Sequence, residues 1–303
     1  MPRCIDSALA QTLLADCEII VVDDGSPDGA GAIADEYARR EEKGKVFHQA
    51  NAGLAEARHT GVKHASGEFI MFLDSDDTLP TDAAAFLYGK AIEGDYDMVY
   101  GSYMRYVGDT PTREVGFEKE REMTGDEFCG YSVGMRSRVA NWGCISRRTL
   151  WQHDVFPPSD VILPSEDVFI NIKLSRYIKR MALSNHVVYN YFYNAQSLSV
   201  TGRLSNFESW KRYYDMVEDE LKLRGLDEAL AADLLTQKID RLAFYIKDYD
   251  PNNEWVRSVL ENRSFRLTPK YALLQHLLRH RKFWHTMLPI YKKCKYGLMP
   301  NKK

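Results

Sequence analysis

Short apolar runs alternate with amphipathic stretches along the first two thirds of the chain. The apolar runs predict buried strands, and the stretches between them, which carry apolar residues on one side, predict helices. Helices of about ten to fifteen residues between strands indicate crossover connections, and so predict an α/β fold with a mainly parallel sheet flanked by helices. The predicted elements are strand 17–23, helix 28–40, strand 45–48, helix 53–64, strand 68–74, helix 81–92 and strand 96–100.

The alternation is interrupted beyond this point. Residues 107–122 are rich in Gly, Pro, Thr and charge, which indicates an excursion over the sheet. Thr124 and Glu127 have capping-box spacing and predict a short helix after them. Ser165 is a candidate N-cap for a further helix over residues 166–177.

The pattern becomes wholly helical in the last third of the chain. Residues 180–193 are still extended and rich in Val and Tyr, but no strand pattern follows Ser205. We therefore predict a domain of residues 1–205 and a helical C-terminal region of residues 206–303. The helices predicted in that region cover residues 206–224, 227–249, 253–262 and 269–295.

Charge is distributed unevenly along the chain. The sequence has 40 Lys and Arg against 43 Asp and Glu, but residues 263–303 contain eleven basic residues and no acidic one. This tail mixes basic, apolar and aromatic positions, as does a helix that lies on an anionic membrane. A basic helix packed on the acidic part of the chain explains the tail equally well. No base-reading motif accompanies the charge, so a nucleic-acid partner is not expected.

Composition narrows the possible classes of protein. At 45% hydrophobic and 12% aromatic residues, most of the chain can fold around a core. The longest apolar run, residues 69–73, is far shorter than the ~20 residues of a membrane span, and no signal segment is recognisable. The five cysteines are dispersed and predict neither a disulfide framework nor a zinc site. We expect a cytoplasmic protein, which the tail could hold at the inner face of the plasma membrane.

Acidic residues cluster where two of the predicted strands end, which is where an α/β sheet binds its ligand. Asp23 and Asp24 follow the first strand and could accept hydrogen bonds from a nucleotide base or ribose, or simply cap the turn. Asp74, Asp76 and Asp77 follow the third strand. Carboxylates this dense favour a shared Mg²⁺ or Mn²⁺ that also binds phosphate, although a solvated acidic turn is the alternative.

Two further positions carry candidate chemistry. Arg58 lies one turn inside a predicted helix, where its guanidinium could contact a planar base or pair with Glu56 or another acid. Glu166 and Asp167 occupy the first turn of a predicted helix. Acids are common there because they complement the helix dipole, but a carboxylate at that position could also take a proton from a hydroxyl group.

These segments in their order resemble glycosyltransferase family 2. The order is Asp-Asp-Gly-Ser-x-Asp, Asn-x-Gly-Leu-x-x-Ala-Arg-x-x-Gly, Leu-Asp-Ser-Asp-Asp and Glu-Asp, and the resemblance spans about residues 2–199. Members of this family are inverting, metal-dependent transferases of the GT-A fold that use nucleotide-diphosphate sugars. The resemblance is closest to bacterial enzymes that build capsules and other cell-surface polysaccharides. It implies a nucleotide-diphosphate sugar donor, expected to be a UDP-sugar, and Mn²⁺ or Mg²⁺ as cofactor.

The resemblance assigns donor-side roles to five acidic and basic residues. Asp24, with Asp23 beside it, matches the acid that contacts the base or ribose. Arg58 matches the arginine near the uracil ring. Asp74 and Asp76 match the Asp-x-Asp pair, with Asp74 directed to the ribose and Asp76 to the cation that bridges the diphosphate.

It assigns acceptor-side roles to three others. Asp167 matches the general base that activates the acceptor hydroxyl, and Glu166 is its neighbour that helps to place the acceptor. Trp142 resembles a tryptophan that would line the acceptor site, although a core tryptophan is an open alternative. The implied acceptor is a glycan or a lipid-linked glycan, and the basic tail could hold the enzyme near it.

Two alternatives stay open at this stage. The family normally opens with a strand that precedes the helix at residues 2–12, and the sequence lacks it; this would reflect either a misassigned start or an inactive truncated scaffold. Separately, residues 69–79 fit the apolar-run, Asp-x-Asp-x-Thr pattern of haloacid-dehalogenase-like phosphatases, in which Asp74 would be the nucleophile and Asp76 the acid/base. The metal loop that those phosphatases also need is not recognisable.

Overall fold

The computed structural model describes residues 1–134, 140–195, 206–245 and 248–279. The chain divides into two compact units, Met1–Arg203 and Leu204–Lys303. The first unit is of mixed α/β structure and the second is helical. Both therefore have the class of structure that the hydrophobic pattern predicts for them.

The first unit opens with a small parallel sheet. Its elements are α1 (Pro2–Leu9), β1 (Ile19–Asp24), α2 (Ala30–Arg40), β2 (Gly44–Gln49) and α3 (Leu54–His64). β1 and β2 pair in parallel along their whole length and are joined through α2, as the alternating pattern predicts. Within the described residues these two strands form a separate sheet of their own.

A larger, mixed sheet follows. Its elements are β3 (Phe69–Ile70), α4 (Ala83–Glu93), β4 (Met98–Val107), β5 (Thr110–Val115), β6 (Arg121–Met123), α5 (Gly125–Val133), β7 (Cys144–Arg147), α6 (Glu166–Leu174) and β8 (Met181–Phe192). The strand order is β3-β7-β4-β8-β6, and β5 also pairs with β4. Of these pairs only β4 and β8 are parallel, so the sheet is mixed rather than mainly parallel. The difference arises because β5, β6 and β7 are short strands without the hydrophobic pattern that predicts a strand.

Two local predictions are corrected. The strand predicted at 68–74 is regular only over Phe69–Ile70, and then continues as one isolated bridge between Phe72 and Trp142. Ser165 precedes α6 but makes no capping hydrogen bond through its side chain. Its backbone is left-handed, with φ of 61°, whereas an N-cap serine needs extended geometry to reach the first-turn N–H groups. Thr124 and Glu127 do form the predicted capping box on α5.

The core of this unit lies on both faces of the larger sheet. Alternate residues of β4 point to opposite sides, so Met98 and Tyr100 pack in one apolar cluster while Val99 and Tyr103 pack in another. The first cluster includes α5 and α6, and the second includes α4. Helix α6, which carries the Glu166 and Asp167 pair, is thereby held against one face of the sheet.

The second unit contains four helices in the described part of the chain. They are α7 (Phe207–Leu223), α8 (Asp227–Phe244), α9 (Glu254–Glu261) and α10 (Pro269–Arg279). Asn206 and Ser209 form a capping box on α7, and the Asn253 side chain caps α9. The predicted helix 269–295 is described only as far as Arg279. Among the described helices, none combines the length and apolar character that a membrane span requires.

Candidate active site

The acidic turn after β3 is closed by its own backbone. The Asp77 N–H donates to the Asp74 carbonyl oxygen at 3.0 Å. Asp77 is buried, and its carboxylate accepts the Tyr189 hydroxyl at 2.9 Å and the Phe192 N–H at 2.7 Å. Asp76 is exposed and Asp74 is half-buried. Of the three acids, Asp77 is therefore occupied internally, while Asp76 and part of Asp74 remain accessible, and their contact with a ligand stays a prediction.

Electrostatics at this turn favour a cation. Partial burial of the carboxyl group and the negative charge of Asp74 raise the pKa of Asp76. Burial raises the pKa of Asp77 to about 7, although the bonds from Phe192 and Tyr189 oppose the shift. Within the described residues no three His, Cys, Asp or Glu side chains converge as a metal site. Two hard carboxylates fit Mg²⁺ or Mn²⁺, which in phosphate-binding sites takes its other ligands from phosphate and water.

Arg58 connects this turn to the start of α6. Its Nη2 lies 3.1 Å from Asp74 Oδ1, and its Nη1 lies 2.5 Å from Asp167 Oδ1 and 3.6 Å from Glu166 Oε1. The guanidinium is buried, with 5% of the side chain exposed. The structure thus brings together four predicted site residues from α3, the turn after β3, and α6. The contacts show that Arg58 pairs with nearby acids, which is one of the two alternatives left open by the sequence. A contact of Arg58 with a uracil ring stays a prediction.

Burial makes the acidic pair on α6 more basic than a free carboxylate. It raises the pKa of Asp167, and the positive charge of Arg58 and the backbone N–H of Asn141 oppose that shift. Burial and the charge of Asp167 raise the pKa of Glu166. A carboxylate with a raised pKa is a better proton acceptor while it is ionised. The pair can therefore accept a proton from a bound hydroxyl group.

Asp23 and Asp24 belong to a second acidic cluster, formed by β1, β2 and the loop before α3. Asp24 Oδ1 accepts the Gln49 side-chain amide at 2.7 Å and the Ala52 N–H at 2.8 Å, and Oδ2 accepts the Gly53 N–H at 2.8 Å. Asp23 accepts the Ser26 N–H at 3.0 Å and lies 2.9 Å from His48 Nδ1. These bonds fasten the loop that leads into α3. A contact of either acid with a nucleotide stays a prediction.

Trp142 lies beside the acidic turn, between sheet and surface. It is half-buried, its ring stacks on Tyr189 with centroids 4.5 Å apart, and it meets Tyr103 edge-on at 5.0 Å. Its backbone forms the bridge to Phe72, two residues before Asp74. Trp142 therefore packs against the core while keeping an accessible part, and its role toward an acceptor stays a prediction.

Three residues of this region have roles that the sequence does not predict: Asp77, Tyr189 and Asn141. The spacing of the acids predicts that Asp77 faces a ligand together with Asp74 and Asp76, whereas its carboxylate is bonded inside the protein. Tyr189 is one tyrosine in a Tyr-rich strand, and the hydrophobic period of that strand predicts its burial but not the partner of its hydroxyl. Asn141 is 1% exposed, and its side-chain amide has no hydrogen-bond partner among the described residues, while its backbone N–H supports Asp167. In the sequence, Asn141 is marked only as a polar residue directly before Trp142.

Comparison with known proteins identifies a family and relatives of this chain. Residues 1–143 match the family model described as Glycosyl transferase family 2. The chain is similar to the uncharacterized glycosyltransferase EpsJ of Bacillus subtilis (strain 168), with 34% identity over 201 residues that cover 65% of this chain and 58% of that protein. It is also similar to glycosyltransferase GlyG of Streptococcus pneumoniae serotype 4, with 37% identity over 128 residues covering 42% of this chain and 40% of that protein. The chain spans less than two thirds of the length of these curated relatives.

Solved structures resemble the chain over nearly all of its length. A crystal structure of S. aureus TarS 1–349 in complex with UDP-GlcNAc superposes with a TM-score of 0.65 at 19% identity, covering 98% of this chain and 88% of that one. The complex of the same TarS fragment with UDP gives 0.64 at 18% identity, covering 99% and 88%. At these identities the similarity establishes the fold. The predicted GT-A class with a helical C-terminal region is confirmed.

Proposed function

Because residues 1–143 place the chain in glycosyltransferase family 2, we propose that it transfers a sugar from a nucleotide-diphosphate sugar to a hydroxyl group. The expected donor is a UDP-sugar, and the expected acceptor is a glycan or a lipid-linked glycan. The observation that carries this proposal is the bridge that Arg58 makes between Asp74 and Asp167. Through this bridge, Asp74, the acid assigned to the donor, and Asp167, the acid able to accept a proton, bind the same buried guanidinium.

The proposed chemistry is a single displacement. Asp167 takes the proton from the acceptor hydroxyl as its oxygen bonds to the anomeric carbon, and the bond from that carbon to the diphosphate breaks. The products are the glycoside and the nucleoside diphosphate. One displacement inverts the anomeric configuration, so the proposed enzyme is an inverting one.

Three further side chains support this step. The positive charge of Arg58 favours the ionised form of Asp167, which is the form that can accept a proton. Glu166 lies in the same first turn of α6 and can accept a hydrogen bond from a second acceptor hydroxyl. The accessible part of Trp142 offers an aromatic face on which an apolar sugar face can pack.

The cofactor would be held by the acidic turn. Asp76 and Asp74 would bind Mn²⁺ or Mg²⁺, and the bound ion would neutralise charge on the leaving diphosphate. Asp76 suits this role because the residue is exposed and a second carboxylate, that of Asp74, lies in the same turn.

We also infer a place near the bacterial membrane in cell-surface polysaccharide synthesis. The basic composition of residues 263–303 supports the membrane contact, and the resemblance of the motifs to those of cell-surface polysaccharide enzymes supports the role. Peripheral binding predicts that the full chain sediments with vesicles containing anionic lipid, and that a chain ending at residue 262 sediments less. Equal sedimentation of both chains would contradict it.

The transfer itself is tested with a panel of UDP-sugars and Mn²⁺, measuring release of UDP. We expect one donor to give turnover with a suitable glycan acceptor, and Asp167→Asn to abolish it. Asp227→Asn is the matched control, because Asp227 also lies in the first turn of a helix, in the second unit. Release of phosphate from phosphomonoesters, abolished by Asp74→Asn, would instead support the phosphatase alternative. A chain that neither binds UDP nor turns over any donor would support the scaffold alternative.

A further inference from the structure

The hydroxyl of Tyr189, on β8, makes two hydrogen bonds to the acidic turn. Its hydroxyl oxygen accepts the Asp74 backbone N–H at 3.1 Å, and the hydroxyl donates to Asp77 Oδ2 at 2.9 Å. The second oxygen of Asp77 accepts the Phe192 N–H, also from β8, at 2.7 Å. Tyr189 and Asp77 are 0% and 1% exposed. Water cannot easily replace these bonds at that depth.

The direction of each bond is determined by chemistry. A backbone N–H can only donate, so the Tyr189 oxygen accepts from Asp74, and a tyrosine hydroxyl has one hydrogen of its own to donate. That one hydrogen is directed to Asp77 Oδ2. Asp77 thus orients the hydroxyl, and the hydroxyl locates the backbone of Asp74.

A second set of bonds holds the far end of the same turn. Thr78 and Asn190 form an antiparallel bridge, with the Thr78 N–H donating to Asn190 O at 3.2 Å and the Asn190 N–H donating to Thr78 O at 2.9 Å. The turn from Asp74 to Thr78 is thus fastened at both ends to β8. Asp76, between these ends, has its position set by them.

The ring of Tyr189 has a separate partner. It stacks on Trp142 at an interplanar angle of 19°. One residue therefore contacts the acidic turn through its hydroxyl and the aromatic residue assigned to the acceptor through its ring.

We propose that Tyr189 is a positioning residue that fixes the metal- and nucleotide-binding turn through its hydroxyl and the acceptor-side Trp142 through its ring. This rests on the proposed transfer from a nucleotide sugar. A role in folding alone makes a different prediction, in which loss of the hydroxyl lowers stability but leaves ligand affinity unchanged.

The two contacts can be separated by substitution. Tyr189→Phe removes the hydroxyl and keeps the ring, whereas Tyr189→Leu removes both. Tyr96→Phe is the matched control. Tyr96 packs in the same apolar cluster and also donates its hydroxyl to a carboxylate, that of Glu122. Tyr96 follows α4 and precedes β4, and its hydroxyl bond involves no residue of the acidic turn.

The first measurement is the dissociation constant of UDP in the presence of Mn²⁺, by calorimetric titration, alongside thermal unfolding. We expect Tyr189→Phe to weaken binding about tenfold, the effect of losing a hydrogen bond that positions a charged group. Tyr96→Phe should bind UDP as the unmodified chain does. With an active donor, Tyr189→Phe should raise the KM for donor, and Tyr189→Leu should also raise the KM for acceptor.

The outcomes distinguish this inference from the function it rests on. Unchanged UDP affinity in Tyr189→Phe, with a loss of thermal stability like that of Tyr96→Phe, would overturn the positioning role. A chain that binds UDP with Mn²⁺ but transfers no sugar would contradict the proposed function, and the affinity comparison would still decide the role of Tyr189. A chain that binds no UDP at all would overturn both. If Tyr189→Leu fails to fold, Tyr189→Phe alone decides the role of the hydroxyl.

Discussion

Two acidic turns follow strands of the first unit, and they use their carboxylates in opposite ways. After β1, every carboxylate oxygen of Asp23 and Asp24 has a partner from the protein. After β3, Asp77 alone is fully occupied, while Asp76 is exposed and Asp74 shares Arg58 with Asp167. The difference lies in what reaches each turn, because backbone N–H groups and a side-chain amide occupy the acids of the first turn, whereas the exposed Asp76 of the second turn is proposed to bind a cation. Acids that follow strands and look alike in sequence can thus be bonded within the protein or remain accessible.

The largest effect that this comparison predicts is at Asp76. Asp76→Asn should lower UDP release about a hundredfold or more, because a metal-stabilised leaving group depends on its charge. The melting temperature should stay unchanged because the side chain is exposed. Initial rates across a Mn²⁺ titration would measure the first effect and thermal scans the second. Full activity of Asp76→Asn would remove the distinction between the two turns.

The matching change in the first turn should act on stability instead. Asp24→Ala leaves the Gln49 amide and the Ala52 and Gly53 N–H groups without their acceptor. We expect the free energy of unfolding to fall by about 2–3 kcal/mol in urea titrations. Asp28→Ala is the control, since exposed Asp28 accepts one bond, from Ala30 N–H, and should cost under about 1 kcal/mol. Equal losses from both would show that the first turn is not a scaffold.

Arg58 sharpens the comparison through pH. Burial raises the pKa of Asp167 and the charge of Arg58 opposes this, so removing the charge should raise that pKa further. Asp167 must be ionised to accept a proton, so the acid side of the rate profile should move to higher pH in Arg58→Met. Arg58→Lys keeps a positive charge and should move it less. Identical profiles for all three chains would contradict this role of Arg58.

Glu18, just before β1, is expected to affect stability and its pH dependence, with no direct effect on the proposed reaction. It accepts the Ser66 N–H and hydroxyl, the Gly67 N–H and the Lys45 ammonium. Burial would raise its pKa, but these bonds prevail and lower it from 4.5 to about 2. A lowered carboxyl pKa stabilises the fold above pH 4.5, and that stability is lost as pH falls toward 2. Glu18→Gln should cost about 2 kcal/mol at pH 7 and flatten this acid dependence, measured by urea unfolding at several pH values. If the acid dependence is the same in Glu18→Gln, groups other than Glu18 cause it.

The sequence predicts the helices and long strands well because their apolar periods are regular. β5 escapes prediction because five of its six residues are exposed, so that no alternation of burial marks it. The site residues Arg58, Asp74 and Asp167 are predicted from their motifs. The bond between Arg58 and Asp167 is not predictable, since it joins residues 109 positions apart through a sheet whose strand order periodicity does not encode. Ser165 shows the same limit locally, because residue type suggests a cap and backbone conformation prevents it.

The separate β1–β2 sheet has a consequence for local opening. In the described part of the chain, its backbone ladder is not continuous with that of the larger sheet, and Glu18 ties it to the β3 approach through side-chain bonds. Such a unit can open without breaking the larger ladder. Backbone amides of β1 should then exchange with deuterium before those of β4 and β8, and bound UDP should slow them if Asp24 and its loop contribute to the nucleotide site. The β1–β2 sheet would thus open more readily than the larger sheet, and a nucleotide bound beside it would order it.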